Sequence, residues 1–184
     1  MTASAGSIIQ RFRAAIRHSL AARLVTIAVV SVFGLVLMGW IAHAQFNAQL
    51  LRLLIDPEIE SVADDLIGNA GPGLSDELIL RDLPYDPRYL QPLSGRYFQI
   101  ALVRGDGRLQ TQTISPSLVD AEIRLPPNVL REIAAARPGD GARYFSINGP
   151  DGGDLRIVTR LEAIPEVEGR YVFVVGVLAD NFIQ

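Results

Sequence analysis

The 184-residue chain contains no cysteine and no lysine, and it has only two histidines and a single tryptophan. Without cysteine there is neither a disulfide framework nor a thiolate metal site, so a folded domain must be held by its core alone. With histidine confined to His18 and His43, a Ser/His/Asp hydrolytic triad has no base to draw on in the body of the chain. All 17 basic residues are arginine, a bias of composition that carries no mechanism of its own. Negative charge is missing from the N-terminal part altogether, the first acidic residue being Asp56.

What stands in that part is a long apolar run. Residues 24–42 carry no charge, with Arg11, Arg13, Arg17 and Arg23 before them. A helix of that length rises by roughly the 30 Å of a bilayer's hydrocarbon core. The positive-inside rule then predicts a cytoplasmic basic lead over 1–23, a transmembrane helix over 24–44 and an exported domain over 45–184. A cleaved signal peptide is the alternative, because Ala42-His43-Ala44 has the small-x-small form of a cleavage site. The apolar run exceeds the usual 7 to 15 residues of a signal peptide, however, and the lead before it is long. Within the lead, Ile8, Ile9, Phe12, Ile16 and Leu20 recur at helical spacing. They read either as a basic amphipathic helix on the anionic inner leaflet or simply as a topology signal.

Beyond the span, 13 of the arginines face all 20 acidic residues, a net charge of −7. Phosphate binding needs a basic face, so nucleic acid is excluded as a partner. A small cation, a basic peptide or an uncharged ligand suits this charge. Carboxylate pairs such as Asp64 with Asp65 or Asp151 with Asp154 have oxygen ligands for a divalent cation. The simpler readings are a helix's polar face and a strand-to-strand turn, so no metal site is assigned. Arg104-Gly105-Asp106 is first of all part of a hairpin turn, and the glycines have turn spacing, not that of a phosphate cradle.

The periodicity predicts an α+β fold. Pro57 interrupts a helix continuing from the span, with Asp56 as a cap and Glu58 and Glu60 in the favourable first turn. Ile59, Val62, Ala63, Leu66 and Ile67 form its apolar stripe, Glu58, Ser61, Asp64 and Asp65 face away, and Gly71-Pro72-Gly73 ends it. Alternation and turn signals give strands at Tyr97–Leu102, Leu109–Ile114, Arg143–Ile147, Leu155–Ile164 and Tyr171–Leu178, with a short helix at Asn128–Ala136. The last strand is apolar on both faces, the mark of a central strand. A mostly antiparallel sheet of about five strands with flanking helices follows.

Three segments of this chain, Asp86-Pro87-Arg88-Tyr89, Pro92-Leu93-Ser94-Gly95-Arg96-Tyr97-Phe98-Gln99-Ile100 and Ser115-Pro116-Ser117-Leu118-Val119-Asp120, resemble the periplasmic sensor region of proteobacterial two-component histidine kinases. The resemblance extends over effectively the whole chain. It implies that the exported domain over 45–184 is a periplasmic domain of PAS-like fold anchored in the bacterial inner membrane, that the chain forms a homodimer, and that its output runs through a kinase and its cognate response regulator. Three departures stand out. Phe98 replaces a tryptophan; Ile114, Pro116 and Val119 replace two arginines and a second tryptophan; and the helix break at Asp56-Pro57 is absent from relatives.

The phosphoacceptor histidine and the glycine-rich ATP site of a kinase are not found in these residues, so no catalytic residue and no cofactor is assigned; ATP and Mg would belong to the kinase region alone. The segment from Ala179 to Gln184 reads as the start of a helix descending to a second span. The expected function is that of a signal-input module. The alternatives are an anchored or released periplasmic binding module, or a sensor for another output such as a cyclase or chemoreceptor. Candidate ligand-binding residues are Arg96, Tyr97, Gln99, Arg143 and Tyr144, polar groups on strands of the expected concave face. Arg and Tyr in a cleft suit a carboxylate ligand, while a surface or interface role is the alternative for each.

Overall fold

The computed structural model describes residues 20–74 and 77–179. The amphipathic helix expected from Ile8, Ile9, Phe12 and Ile16, and the descending helix expected over 180–184, lie outside the described residues. The chain divides into two units, Met1–Gln49 and Leu50–Gln184.

The first unit carries helix α1 (Leu20–Leu50). Its segment Ala22–His43 is long and apolar enough to cross a membrane, with a mean hydropathy of 2.5. Every side chain from Arg23 to His43 is exposed, Phe33 and Trp40 among them. Water is a poor environment for such a surface.

The second unit begins with a π-helical turn, Leu51–Ile55, that leads into α2 (Asp56–Asn69). Pro57 has no N–H to give to the carbonyl four residues back, and its ring crowds that carbonyl. The wider turn relieves both, so the expected break is a widened turn instead. Nor does Asp56 cap the helix: the capping position is Ile55, with no side-chain hydrogen bond, and the Asp56 carboxylate is engaged elsewhere. The apolar stripe is as expected, with Ile59, Ala63 and Leu66 buried and Val62 and Ile67 half-buried. A small hairpin follows, in which β1 (Ala70–Pro72) pairs antiparallel with β2 (Leu78–Leu80) where only a helix terminator was expected.

The main sheet has five antiparallel strands: β3 (Arg96–Val103), β4 (Leu109–Ile114), β5 (Arg143–Asn148), β6 (Asp154–Glu162) and β7 (Tyr171–Leu178). Their order is β4-β3-β7-β6-β5, so β7 is central and every one of its side chains is buried. Helix α3 (Pro127–Ala135) lies between β4 and β5 in the chain.

Two apolar layers cover the sheet. On one face Ile59, Ala63 and Leu66 of α2 meet Phe98, Ile100, Val158, Phe173 and Val175. On the other, Val129 and Ile133 of α3 meet Tyr97, Ala101, Ile157, Val172 and Val174. Helices on both faces of an antiparallel sheet give a closed α+β core.

Candidate functional site

The residues of the three motif segments come together in one hydrogen-bonded block. Asp86 caps a single 3₁₀ turn (Pro87–Tyr89), accepting from the Arg88 N–H at 3.0 Å and pairing with its guanidinium at 2.9 Å. The Ser94 hydroxyl donates to the Arg88 carbonyl at 2.5 Å. Ser115 and Ser117, both fully buried, clasp the start of β3. The Phe98 N–H donates to Ser115 Oγ (3.1 Å), the two serine hydroxyls bond each other (2.8 Å), and Ser117 Oγ donates to the Arg96 carbonyl (2.5 Å). Tyr89 packs against Phe98 with ring centroids 6.2 Å apart. Phe98 thus fills a closed core position. Val119 is half exposed and holds a left-handed φ of 59°, a strained backbone for a β-branched residue.

A second constellation joins α2 to the sheet. Asp56 receives two hydrogen bonds of 2.8 Å from the Arg156 guanidinium, and Arg160 pairs with Asp64 at 2.8 Å and with Glu162 at 3.0 Å. Glu58 pairs with the buried Arg96 at 2.5 Å, and the Tyr144 hydroxyl donates to Glu60. Arg156 also lies over the Tyr144 ring, 5.6 Å from its centroid. Of the residues expected to face away, Glu58 and Asp64 therefore point at sheet arginines, whereas Ser61 and Asp65 are exposed.

Electrostatics follow from these contacts. The hydrogen bond from Arg88 holds the Asp86 carboxyl below the usual carboxylate value. Burial pushes the Tyr89 hydroxyl up, against the pull of the neighbouring Arg96; among the described residues that hydroxyl has no hydrogen bond of normal geometry. Burial, with the bond to Glu60, pushes the Tyr144 hydroxyl up as well.

The five candidate binding residues do not share one face. Arg96 and Tyr144 lie on the α2 side, tied to Glu58 and Glu60. Tyr97 and Gln99 lie on the α3 side, and Arg143 reaches α3 through the Glu132 carbonyl at 2.8 Å. Arg96, Tyr97 and Gln99 are almost wholly buried, at 4 %, 0 % and 4 % exposure. Gln99 is a brace: its amide donates to Thr111 Oγ1 (3.2 Å) and its oxygen accepts from the Ile123 N–H (2.7 Å). The single concave cleft expected for these residues is corrected to two faces, because successive strand residues point to opposite sides of a sheet.

Two open concavities flank these elements. The first, about 560 Å³, is lined by Asp56, Pro57, Glu60, Ala142, Arg143, Tyr144 and Arg156. The Asp56–Arg156 ion pair and the Tyr144 hydroxyl bonded to Glu60 bridge it, which makes it a seam between helix and sheet. The second, about 810 Å³, lies between residues 120–126 and the β5–β6 turn, and presents Asp120, Glu122, Arg124, Asn148 and Gly149. Set against family models, curated proteins and solved structures, the chain matches none. Among the described residues no group of three or more histidine or acidic side chains is arranged to hold a metal ion.

The ion-pair seam carries a signal that sequence reasoning overlooked. Asp56, Glu60 and Asp64 recur every four residues along one helix stripe. Arg156 and Arg160 share the face of Val158, as strand alternation requires.

Proposed function

We propose that this chain is the signal-input region of a membrane-bound two-component sensor histidine kinase, acting as a homodimer. In this reading α1 spans the inner membrane with its N-terminus in the cytoplasm, and the second unit is a PAS-like periplasmic sensor. The kinase that phosphorylates a cognate response regulator belongs to a region outside these residues.

The observation that carries the reading is the seam. The helix that follows the membrane-length segment is bonded to three strands through Arg96, Tyr144, Arg156 and Arg160. A change at the sheet or its loops therefore alters the contacts of α2 directly, the kind of coupling a switching element needs. Numbered from β3, the sheet order is 2-1-5-4-3, which supports the PAS-like assignment.

The test is the genomic reading frame beyond codon 184. A second apolar run followed by a phosphoacceptor-histidine helix and a glycine-rich ATP site is the expected result. A frame that continues without them overturns kinase output. A released binding module is the second reading, favoured by Ala42-His43-Ala44. The mass of the mature protein decides it, since cleavage after Ala44 removes the span and with it the sensor reading.

A further inference from the structure

The two concavities differ in one respect that bears on ligands. In the seam each charged side chain is engaged with a polar partner, Asp56 with Arg156, Glu60 with the Tyr144 hydroxyl and Arg143 with Asp140. In the larger concavity none is: among the described residues Asp120, Glu122 and Arg124 form no ion pair or side-chain hydrogen bond, with each other or with anything else, and the Asn148 amide is equally unengaged.

The local sequence explains how they come to be there. Residues 121–126 run without regular secondary structure, and their side chains alternate. Ile123 is buried and Leu125 half-buried against the α3-side core, while Glu122 and Arg124 are exposed. The Gln99 oxygen anchors this strap through the Ile123 N–H at 2.7 Å, and Val119 enters it with its strained positive φ. A strap pinned at its centre by a buried amide fixes the backbone from which its outward charges project, one part of the preorganisation that binding sites need. Across from it, the β5–β6 hairpin supplies Asn148 and Gly149, and Ile147 and Pro126 provide apolar lining.

We propose that this concavity binds a small organic cation that also carries a carboxylate, in the class of basic amino acids. Arg124 receives the carboxylate, Asp120 and Glu122 receive the cationic nitrogens, and Asn148 orients the ligand. Two carboxylates against one guanidinium leave the site one negative charge in excess, which a ligand with two cationic groups and one carboxylate balances. The inference names the ligand class for the sensor reading and rests on it only for the meaning of binding, since the released-module reading predicts the same occupancy.

The experiment is calorimetric titration of the full chain in detergent micelles with L-arginine, L-lysine, cadaverine and L-glutamate. L-arginine and L-lysine are expected to bind, cadaverine more weakly, and L-glutamate not at all. Arg124→Gln is expected to weaken L-lysine about tenfold or more while leaving cadaverine no weaker, because it removes the carboxylate's partner and a positive charge that repels a dication. The Asp120→Asn/Glu122→Gln pair is expected to weaken both. Circular dichroism shows that each variant is folded, and exposed Arg108→Gln serves as a control that leaves affinity unchanged. Absence of binding at 10 mM of any basic ligand (about the weakest affinity worth assigning), or binding that ignores the Arg124 and Asp120/Glu122 changes, overturns the proposal. Binding together with a reading frame that lacks a kinase leaves the site standing and removes the sensor output.

Discussion

Asp56 and Arg156 stand 100 residues apart in the chain and meet through two parallel hydrogen bonds of 2.8 Å, with 11 % and 14 % of their side chains exposed. A bidentate pair this sheltered fixes both the distance and the angle between the start of α2 and β6.

Removing one partner strands the other charge in a poorly hydrated place. Arg156→Ala is expected to destabilise the second unit by about 3 kcal/mol in urea denaturation. The Asp56→Asn/Arg156→Gln double variant should cost less than the sum of its single changes, and additive costs would show that the two residues act independently.

The serine clasp makes a sharper demand. Ser117→Ala removes the 2.5 Å hydrogen bond to the Arg96 carbonyl, and Ser115→Ala removes the acceptor of the Phe98 N–H, each at a cost of about 1–3 kcal/mol. Backbone amide exchange of Phe98, followed by NMR, should accelerate in Ser115→Ala and stay near its normal rate in a surface control such as Ser61→Ala.

Stability should depend on pH at both extremes. Asp86 has a native value held below its ordinary 3.8, so its contribution is present above that value and is lost as pH falls through the native one; Asp86→Asn should flatten this acid limb. The hydroxyls of Tyr89 and Tyr144 are pushed up from an ordinary 10.0, so their contribution is whole below that value and is lost as pH rises through the native ones. Absorbance at alkaline pH should show these tyrosines ionising only as the fold opens, and Tyr144→Phe should remove part of the loss.

Val119 is the β-branched residue among three described non-glycine positions with positive φ, and its replacement should help. Its φ of 59° is strained for a β-branched side chain that is half exposed, and Val119→Gly should raise stability by about 1 kcal/mol in thermal unfolding. A loss of stability instead would mean that the exposed valine contributes packing that outweighs its backbone strain.

Much of the architecture was legible in the residues. The double-sided apolarity of Tyr171–Leu178 placed that strand at the sheet's centre, and Arg143–Asn148 and Leu109–Ile114 are strands as alternation requires. The β1–β2 hairpin was not, because three-residue strands containing Gly71 and Pro72 carry no alternation to read. The capping role read for Asp56 failed for a different reason. A carboxylate at a helix start satisfies either a local N–H or a distant guanidinium, and local pattern cannot choose between them. The division of the candidate residues was within reach: parity alone separates Arg96 from Tyr97 and Gln99, and Arg143 from Tyr144. Which residues line the larger concavity follows from the strap's alternation, but that a hairpin 25 residues onward faces it depends on tertiary structure.

The serine clasp also bears on how this chain can be compared with others. The Pro92–Ile100 and Ser115–Asp120 stretches that suggest kinship are spent largely on closing the first strand of the sheet, through hydroxyls sealed from any solute. Of the charged and polar residues of the larger concavity, Glu122, Arg124 and Asn148 fall outside those stretches, and Asp120 is the last residue of the second. A chain that shared only those residues with this one would therefore share its way of closing the first strand, and not by that fact the lining of the larger concavity.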